Sequence, residues 1–76
     1  MGDGGMNEID ERILGLIKEH TRLSVPQLID NLYPDVPVYR KSTLRTYIYG
    51  KCKNLSLYHY LRKVREGNAV LWELEE

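Results

Sequence analysis

The sequence of 76 residues contains only one cysteine and two histidines. The single thiol, Cys52, excludes a disulfide within the chain, and His20, Cys52 and His59 are not closely paired, so a structural zinc site is not expected. A lone thiol without a secretory signal is typical of a reducing compartment. We therefore expect an intracellular protein, cytoplasmic, nuclear or nucleoid, that folds without a metal or another cofactor.

Long apolar runs are also missing. The longest one, from Ala69 to Trp72, is far shorter than the roughly 20 residues of a membrane-spanning helix, so no membrane partner is expected. With 42% hydrophobic and 29% charged residues, the chain has the composition of a globular protein. At this length we expect one domain with a small core, over residues 7–76, preceded by a Gly-rich disordered tail of residues 1–6.

Sequence patterns of catalysis are absent. There is no P-loop, no Ser/His/Asp order on a plausible elbow and no pair of carboxylates in an apolar pocket. Glu73 and Glu75 share one face of a predicted strand, but the rim of a hairpin offers no cleft. His59 is interpreted as a hairpin surface residue rather than a general base. We predict that the chain is not an enzyme and that it has no small-molecule ligand.

The charge is unevenly distributed although 11 basic and 11 acidic residues give a net charge of zero. No Asp or Glu occurs between Arg40 and Arg65. This segment carries +8, and the remainder, with three basic and 11 acidic residues, carries −8. Such a separation indicates a polyanion-binding surface, and chance clustering on a solvated face is the alternative. The basic residues of the segment are Arg40, Lys41, Arg45, Lys51, Lys53, Arg62, Lys63 and Arg65.

Apolar spacing predicts two helices in the first half of the chain. The first runs from Asn7 to about His20, with Asn7 as its N-cap. The second runs from Ser24 to about Leu32, where Ser24 and Gln27 form a capping box, and a very short strand is an option just before it. The buried stripe of the first helix is Ile9, Ile13, Leu16 and Ile17.

A third helix is predicted from Tyr39 or Arg40 to about Asn54. Its apolar residues fall within about 80° of a helical wheel, and its opposite face is polar and basic, without an acid. The apolar stripe is Leu44, Ile48, Cys52 and Leu55. The opposite face holds Ser42, Thr46, Gly50 and Lys53, flanked by Thr43, Arg45 and Tyr49.

The end of the chain has strand spacing and predicts a β-hairpin. Gly67 and Asn68 suit a two-residue type II′ turn, and Trp72 is expected in the core. The turn sets Leu61 opposite Leu74, Lys63 opposite Trp72 and Arg62 opposite Glu73. The alternative is a helix over residues 57–66, because Leu57, Tyr60, Leu61 and Val64 also fit helical spacing.

This order of elements resembles a winged helix-turn-helix domain. Residues 23–32 (LSVPQLIDNL) look like the second helix of that family, residues 40–48 (RKSTLRTYI) look like its recognition helix, and residues 61–74 look like its wing. The resemblance implies an α+β fold, a winged helix built as a three-helix bundle with a C-terminal β-hairpin. Two departures are the long connection Tyr33–Val38 and a wing turn, residues 66–68, without an arginine.

The resemblance also implies double-stranded DNA as the partner. In that architecture the third helix enters the major groove, where Arg45 can contact guanine, and the wing holds backbone phosphates. A small transcriptional regulator is expected, acting as a homodimer through the first helix and the tyrosines. The predicted DNA-binding residues are Arg40, Lys41, Ser42, Thr43, Arg45, Thr46, Tyr49, Lys53, Arg62, Lys63 and Arg65.

Two alternatives stay open from the sequence. The chain is a winged-helix assembly module, whose basic face meets an acidic protein, or it binds RNA or single-stranded DNA through exposed tyrosines. The chain has six tyrosines and no phenylalanine. Tyr49 is expected on the outer face, whereas Tyr47, Tyr58 and Tyr60 are expected to be half-buried in the core or in a dimer. Cys52 is expected to be a buried apolar residue rather than a redox switch.

Overall fold

The computed structural model of the protein describes residues 7–75. The predicted tail, residues 1–6, lies outside the described residues, as does residue 76. Three helices and a small antiparallel sheet form an α+β fold consistent with a winged helix, which confirms the predicted fold class. The elements in chain order are α1 (Glu8–His20), β1 (Arg22–Ser24), α2 (Val25–Leu32), a 3-10 helix (Val38–Arg40), α3 (Lys41–Leu57), β2 (Leu61–Glu66) and β3 (Ala69–Leu74).

Capping boxes fix the starts of α1 and α2. The Asn7 side chain accepts a hydrogen bond from the Asp10 N–H at 3.1 Å, and the Asp10 carboxylate accepts one from the Asn7 N–H at 3.2 Å. The predicted box is confirmed at α2, where the Ser24 hydroxyl accepts from the Gln27 N–H at 3.3 Å and the Gln27 side chain accepts from the Ser24 N–H at 2.9 Å. Each box satisfies two donors that a helix terminus otherwise leaves unpaired.

The helix α3 ends at Leu57, one turn beyond the predicted end near Asn54. The extra turn brings Leu55 into the core, where it is buried. The helix closes after it in a Schellman arrangement, in which the Tyr60 N–H donates to the Leu55 carbonyl at 2.9 Å and His59 adopts a φ of 67°. This end is not recognisable from the residue types, because glycine usually occupies the left-handed position and here it is histidine.

The sheet has the strand order β1–β3–β2, with both pairs antiparallel. Of the two turn residues between β2 and β3, only Gly67 has a positive φ, 59°, which matches the predicted type II′ turn. The alternative of a helix over residues 57–66 is wrong beyond Leu57. The predicted register is confirmed in full, with Leu61 opposite Leu74, Arg62 opposite Glu73 and Lys63 opposite Trp72.

The core lies between the three helices and the sheet. Trp72 is 1% exposed, as predicted, and Cys52 is fully buried, where burial and the nearby Asp10 carboxylate raise the pKa of its thiol to about 12. Tyr47, Tyr58 and Tyr60 are exposed at 46%, 70% and 46%, so the expected burial in the core is wrong, and burial in a dimer stays a prediction. The other core residues are Ile13, Ile17, Leu23, Val25, Leu28, Ile29, Leu32, Ile48, Leu55 and Leu61.

Candidate nucleic-acid interface

The helix α3 turns its predicted site residues away from the core. Ile48, Cys52 and Leu55 hold one side of the helix against the core, and this fixes which side chains point outward. Arg40 precedes the first residue of α3 and is exposed, whereas Lys41 is half-buried. The exposed predicted residues within α3 are Ser42, Thr43, Arg45, Thr46, Tyr49 and Lys53.

The eight cations of the basic segment divide into two groups. Three form ion pairs with acids from elsewhere in the chain: Lys41 with Asp30 at 3.3 Å, Lys51 with Asp10 at 3.9 Å and Arg62 with Glu73 at 2.5 Å. The remaining five form no ion pair with any residue of the described range 7–75. These five, called the free cations below, are Arg40, Arg45, Lys53, Lys63 and Arg65.

The wing separates its cations onto two sides, because alternate residues of a strand face opposite ways. Lys63 lies opposite Trp72 in the hairpin, and Arg65, two residues further along β2, lies on the same side of the sheet. Arg62 lies on the other side, where its guanidinium is bound to Glu73. The two free cations of the wing therefore share the side of the sheet on which Trp72 packs.

Tyr49 joins α3 to the wing. Its ring meets the Trp72 ring edge-on, with centroids 6.0 Å apart and an interplanar angle of 64°. Arg45 and Lys53 are four residues before and four after Tyr49, so the three side chains form one ridge along α3, about 12 Å from end to end. Arg45 and Lys53 thus lie one turn on either side of Tyr49, and Lys63 lies across the strand from Trp72.

Among the predicted hydroxyls, Thr46 has an internal partner. Its hydroxyl donates to the Ser42 carbonyl at 3.4 Å, the local bond that a threonine often makes inside a helix. This bond leaves the oxygen of Thr46 able to accept, but its hydrogen is already engaged. Ser42 and Thr43 lie one turn or less from the start of α3, where exposed hydroxyls can reach a phosphate.

Sequence reasoning missed two contacts that change which cations of the basic segment are free. Asp30 on α2 binds Lys41, and Asp10 on α1 binds Lys51. No local pattern indicates these pairs, because the partners are 11 or more residues apart and meet only when the elements pack. Periodicity places residues on faces of one element, but it does not pair one element with another.

Two further features were sought in the described part of the chain, a metal site and a membrane-spanning helix. Within residues 7–75, no three His, Cys, Asp or Glu side chains are grouped so as to hold a metal ion. No helix in the same range has the length and apolar character needed to cross a membrane.

Comparisons with known proteins add no information on the interface of α3 and the wing. The chain matches no protein-family model, no curated protein sequence and no solved structure.

Proposed function

We propose that the chain binds double-stranded DNA and acts as a small transcriptional regulator. The observation that carries the proposal is the set of five free cations, which lie just before α3, on α3 and on one side of the wing and form no ion pair within residues 7–75. A cation that gives up no internal ion pair can neutralise a phosphate at no cost to the fold, and each neutralised phosphate releases condensed counterions. Lys41 and Arg62, both predicted to contact DNA, have acidic partners and contribute less.

Two kinds of contact follow from this arrangement. The outer side of α3 enters the major groove, which is about 12 Å wide and accepts one helix, and Arg45 donates to the O6 and N7 acceptors of guanine. Lys63 and Arg65 on the wing bind backbone phosphates, which position the protein without reading sequence. We assign the chain no catalytic role. A homodimer, expected because one small module has modest affinity, remains a prediction for sedimentation analysis.

The test compares the loss of two exposed arginine side chains that lie on different helices. Arg45 lies on the ridge of α3, and Arg12 lies on α1, exposed and with no ion pair in the described range. We expect Arg45→Ala to weaken binding to a fluorescent duplex, enriched on the wild-type protein from a random pool, by about 1–3 kcal/mol. Arg12→Ala should leave the affinity nearly unchanged. Equal effects of the two substitutions would contradict the assignment of α3.

A second candidate function is a protein-interaction module. Apolar side chains are exposed at both ends of α3, with Leu57 at 67% and Tyr39 at 80%. Such residues are typical of contacts with another protein when they form a patch. A complex of this kind would depend on Leu57 and Tyr58 and would respond weakly to salt. Double-stranded DNA binding would respond strongly to salt and would tolerate Leu57→Ser.

A further inference from the structure

A groove of about 360 Å³ lies between the start of α2, the middle of α3 and the wing. Its volume is within the range of about 300–1,000 Å³ that is usual for sites that hold small organic groups. The walls are mostly apolar and come from all three elements. They include Val25 and Pro26 of α2, Tyr49 of α3, and Val70 and Trp72 of β3.

The groove contains an aromatic surface. Tyr49 lines it and is 40% exposed, and its edge-on contact with Trp72 holds its ring in place. A fixed, accessible aromatic ring is what nucleobases stack upon in proteins that bind unpaired nucleic acid, and such stacking accepts any base because every base has a π-face. An apolar wall alone would not distinguish a base from an aliphatic side chain. The aromatic ring favours the base.

Free cations lie next to residues that line the groove. Val70 and Trp72 line it, and their cross-strand partners are Arg65 and Lys63, two free cations on the same side of the sheet. Arg45 lies one helical turn before Tyr49 on the exposed ridge of α3. The apolar walls therefore have cations on neighbouring positions of β2 and α3, a combination that suits a nucleotide unit with its apolar base and its anionic phosphates.

We propose that this groove binds an unpaired base of a DNA strand, with the adjacent phosphates held by Lys63 and Arg65. The inference rests on the proposed DNA binding and adds a structural preference to it: a duplex with one unpaired base binds better than a fully paired one. The base of a paired nucleotide must first leave the stack, and the free energy for this is smallest where the base is already unpaired.

The experiment uses two duplexes of the same sequence, one fully paired and one with a single bulged base. We expect the bulged duplex to bind about tenfold more tightly by fluorescence anisotropy, which is within the range of one stacking contact. Trp72 is the only tryptophan and lines the groove, so its fluorescence reports occupancy. The bulged duplex should change the Trp72 emission, and the paired duplex should change it much less.

Two valines of the wing provide a matched pair of variants. Val70 lines the groove, whereas Val64 is half-buried on the opposite side of the sheet, where it pairs with Leu71. Val70→Phe fills the groove and should reduce the affinity ratio of the two duplexes to about one. Val64→Phe should preserve the ratio. A second variant, Tyr49→Leu, serves if Val70→Phe does not fold. It removes the aromatic ring but keeps an apolar side chain, and it should also abolish the preference for the bulged duplex.

The outcomes separate this inference from the function on which it rests. Steep, salt-dependent binding of the paired duplex with no gain from the bulge overturns the groove assignment and leaves the proposed function intact. Failure of both duplexes to bind at low salt overturns the function and the inference together. A free mononucleotide is the last probe. If it changes the Trp72 emission at the same concentration as the bulged duplex, the assignment of the groove to a DNA strand is overturned.

Discussion

Glu73 accepts a hydrogen bond from the Arg62 Nε at 2.5 Å, across the two strands of the wing. Glu73 lies on the central strand β3 and is buried, and Arg22 of β1 reaches its other carboxylate oxygen at 3.1 Å. One carboxylate thereby ties both edge strands to the middle of the sheet. The same contact explains why Arg62, unlike Lys63 and Arg65, is not a free cation, since its guanidinium is paired with Glu73.

We expect Glu73→Gln to lower the free energy of unfolding by about 1–3 kcal/mol, because two guanidinium groups lose the charge of their shared acceptor. Urea denaturation followed by Trp72 fluorescence measures this. Glu66→Gln is the control. Its carboxylate also binds Arg22 but is 57% exposed, so the loss should be below about 1 kcal/mol. Equal stability of the two variants would contradict the central role of Glu73.

The left-handed residue after α3 predicts a stabilising substitution. His59 has a φ of 67°, a conformation that costs a residue with a Cβ roughly 1–2 kcal/mol. Glycine avoids this cost but makes the unfolded chain more flexible, so we expect His59→Gly to raise the free energy of unfolding by a net amount of up to about 1 kcal/mol. Thermal denaturation measures the change. His20→Gly, inside the last turn of α1, should instead destabilise the protein.

The buried thiol predicts a stability change at high pH. Burial, followed by the Asp10 carboxylate, raises the pKa of Cys52 from 9.0 to about 12. In the unfolded chain the thiol ionises near its ordinary pKa, so the contribution of Cys52 to stability is complete below about pH 9 and is lost as the pH rises toward 12. We expect the wild type to lose stability over this window faster than Cys52→Ala does.

Labelling with a thiol reagent at about pH 8 tests the burial of Cys52 independently of its pKa. We expect it to label Cys52 at a rate set by unfolding, and hence faster in urea. Rapid labelling of the folded protein would mean that the thiol is accessible, contrary to its full burial.

The sequence predicts most of the fold because its signals are local. Ser24 and Gln27 start α2 through a box only three residues long, and Gly67 with Asn68 sets the register of the whole hairpin. The end of α3 was misplaced because the residue at its left-handed position is His59 rather than glycine. A helix end or turn can be predicted when it uses the residue type that usually occupies it. The same backbone geometry with another residue type cannot be predicted in this way.

The candidate site was predictable only in part. The outward side of α3 follows from the positions of Ile48 and Cys52 on a helical wheel. The Tyr49–Trp72 contact and the ion pair of Asp30 with Lys41 depend on how separate elements pack, and residue spacing along the chain carries no information on that packing. Periodicity therefore identified the surface but not which of its cations are free.

The most direct test of the account is the salt dependence of duplex DNA binding. Because Arg45 is assigned to guanine, four free cations remain for phosphates, so the log–log slope of the binding constant against salt concentration should be about −3.6. The double substitution Lys63→Gln with Arg65→Gln should reduce its magnitude by about 2. Arg12→Gln on α1 should leave the slope unchanged. A slope near zero, or a slope that the double substitution does not alter, would contradict the claim that α3 and the wing bind DNA.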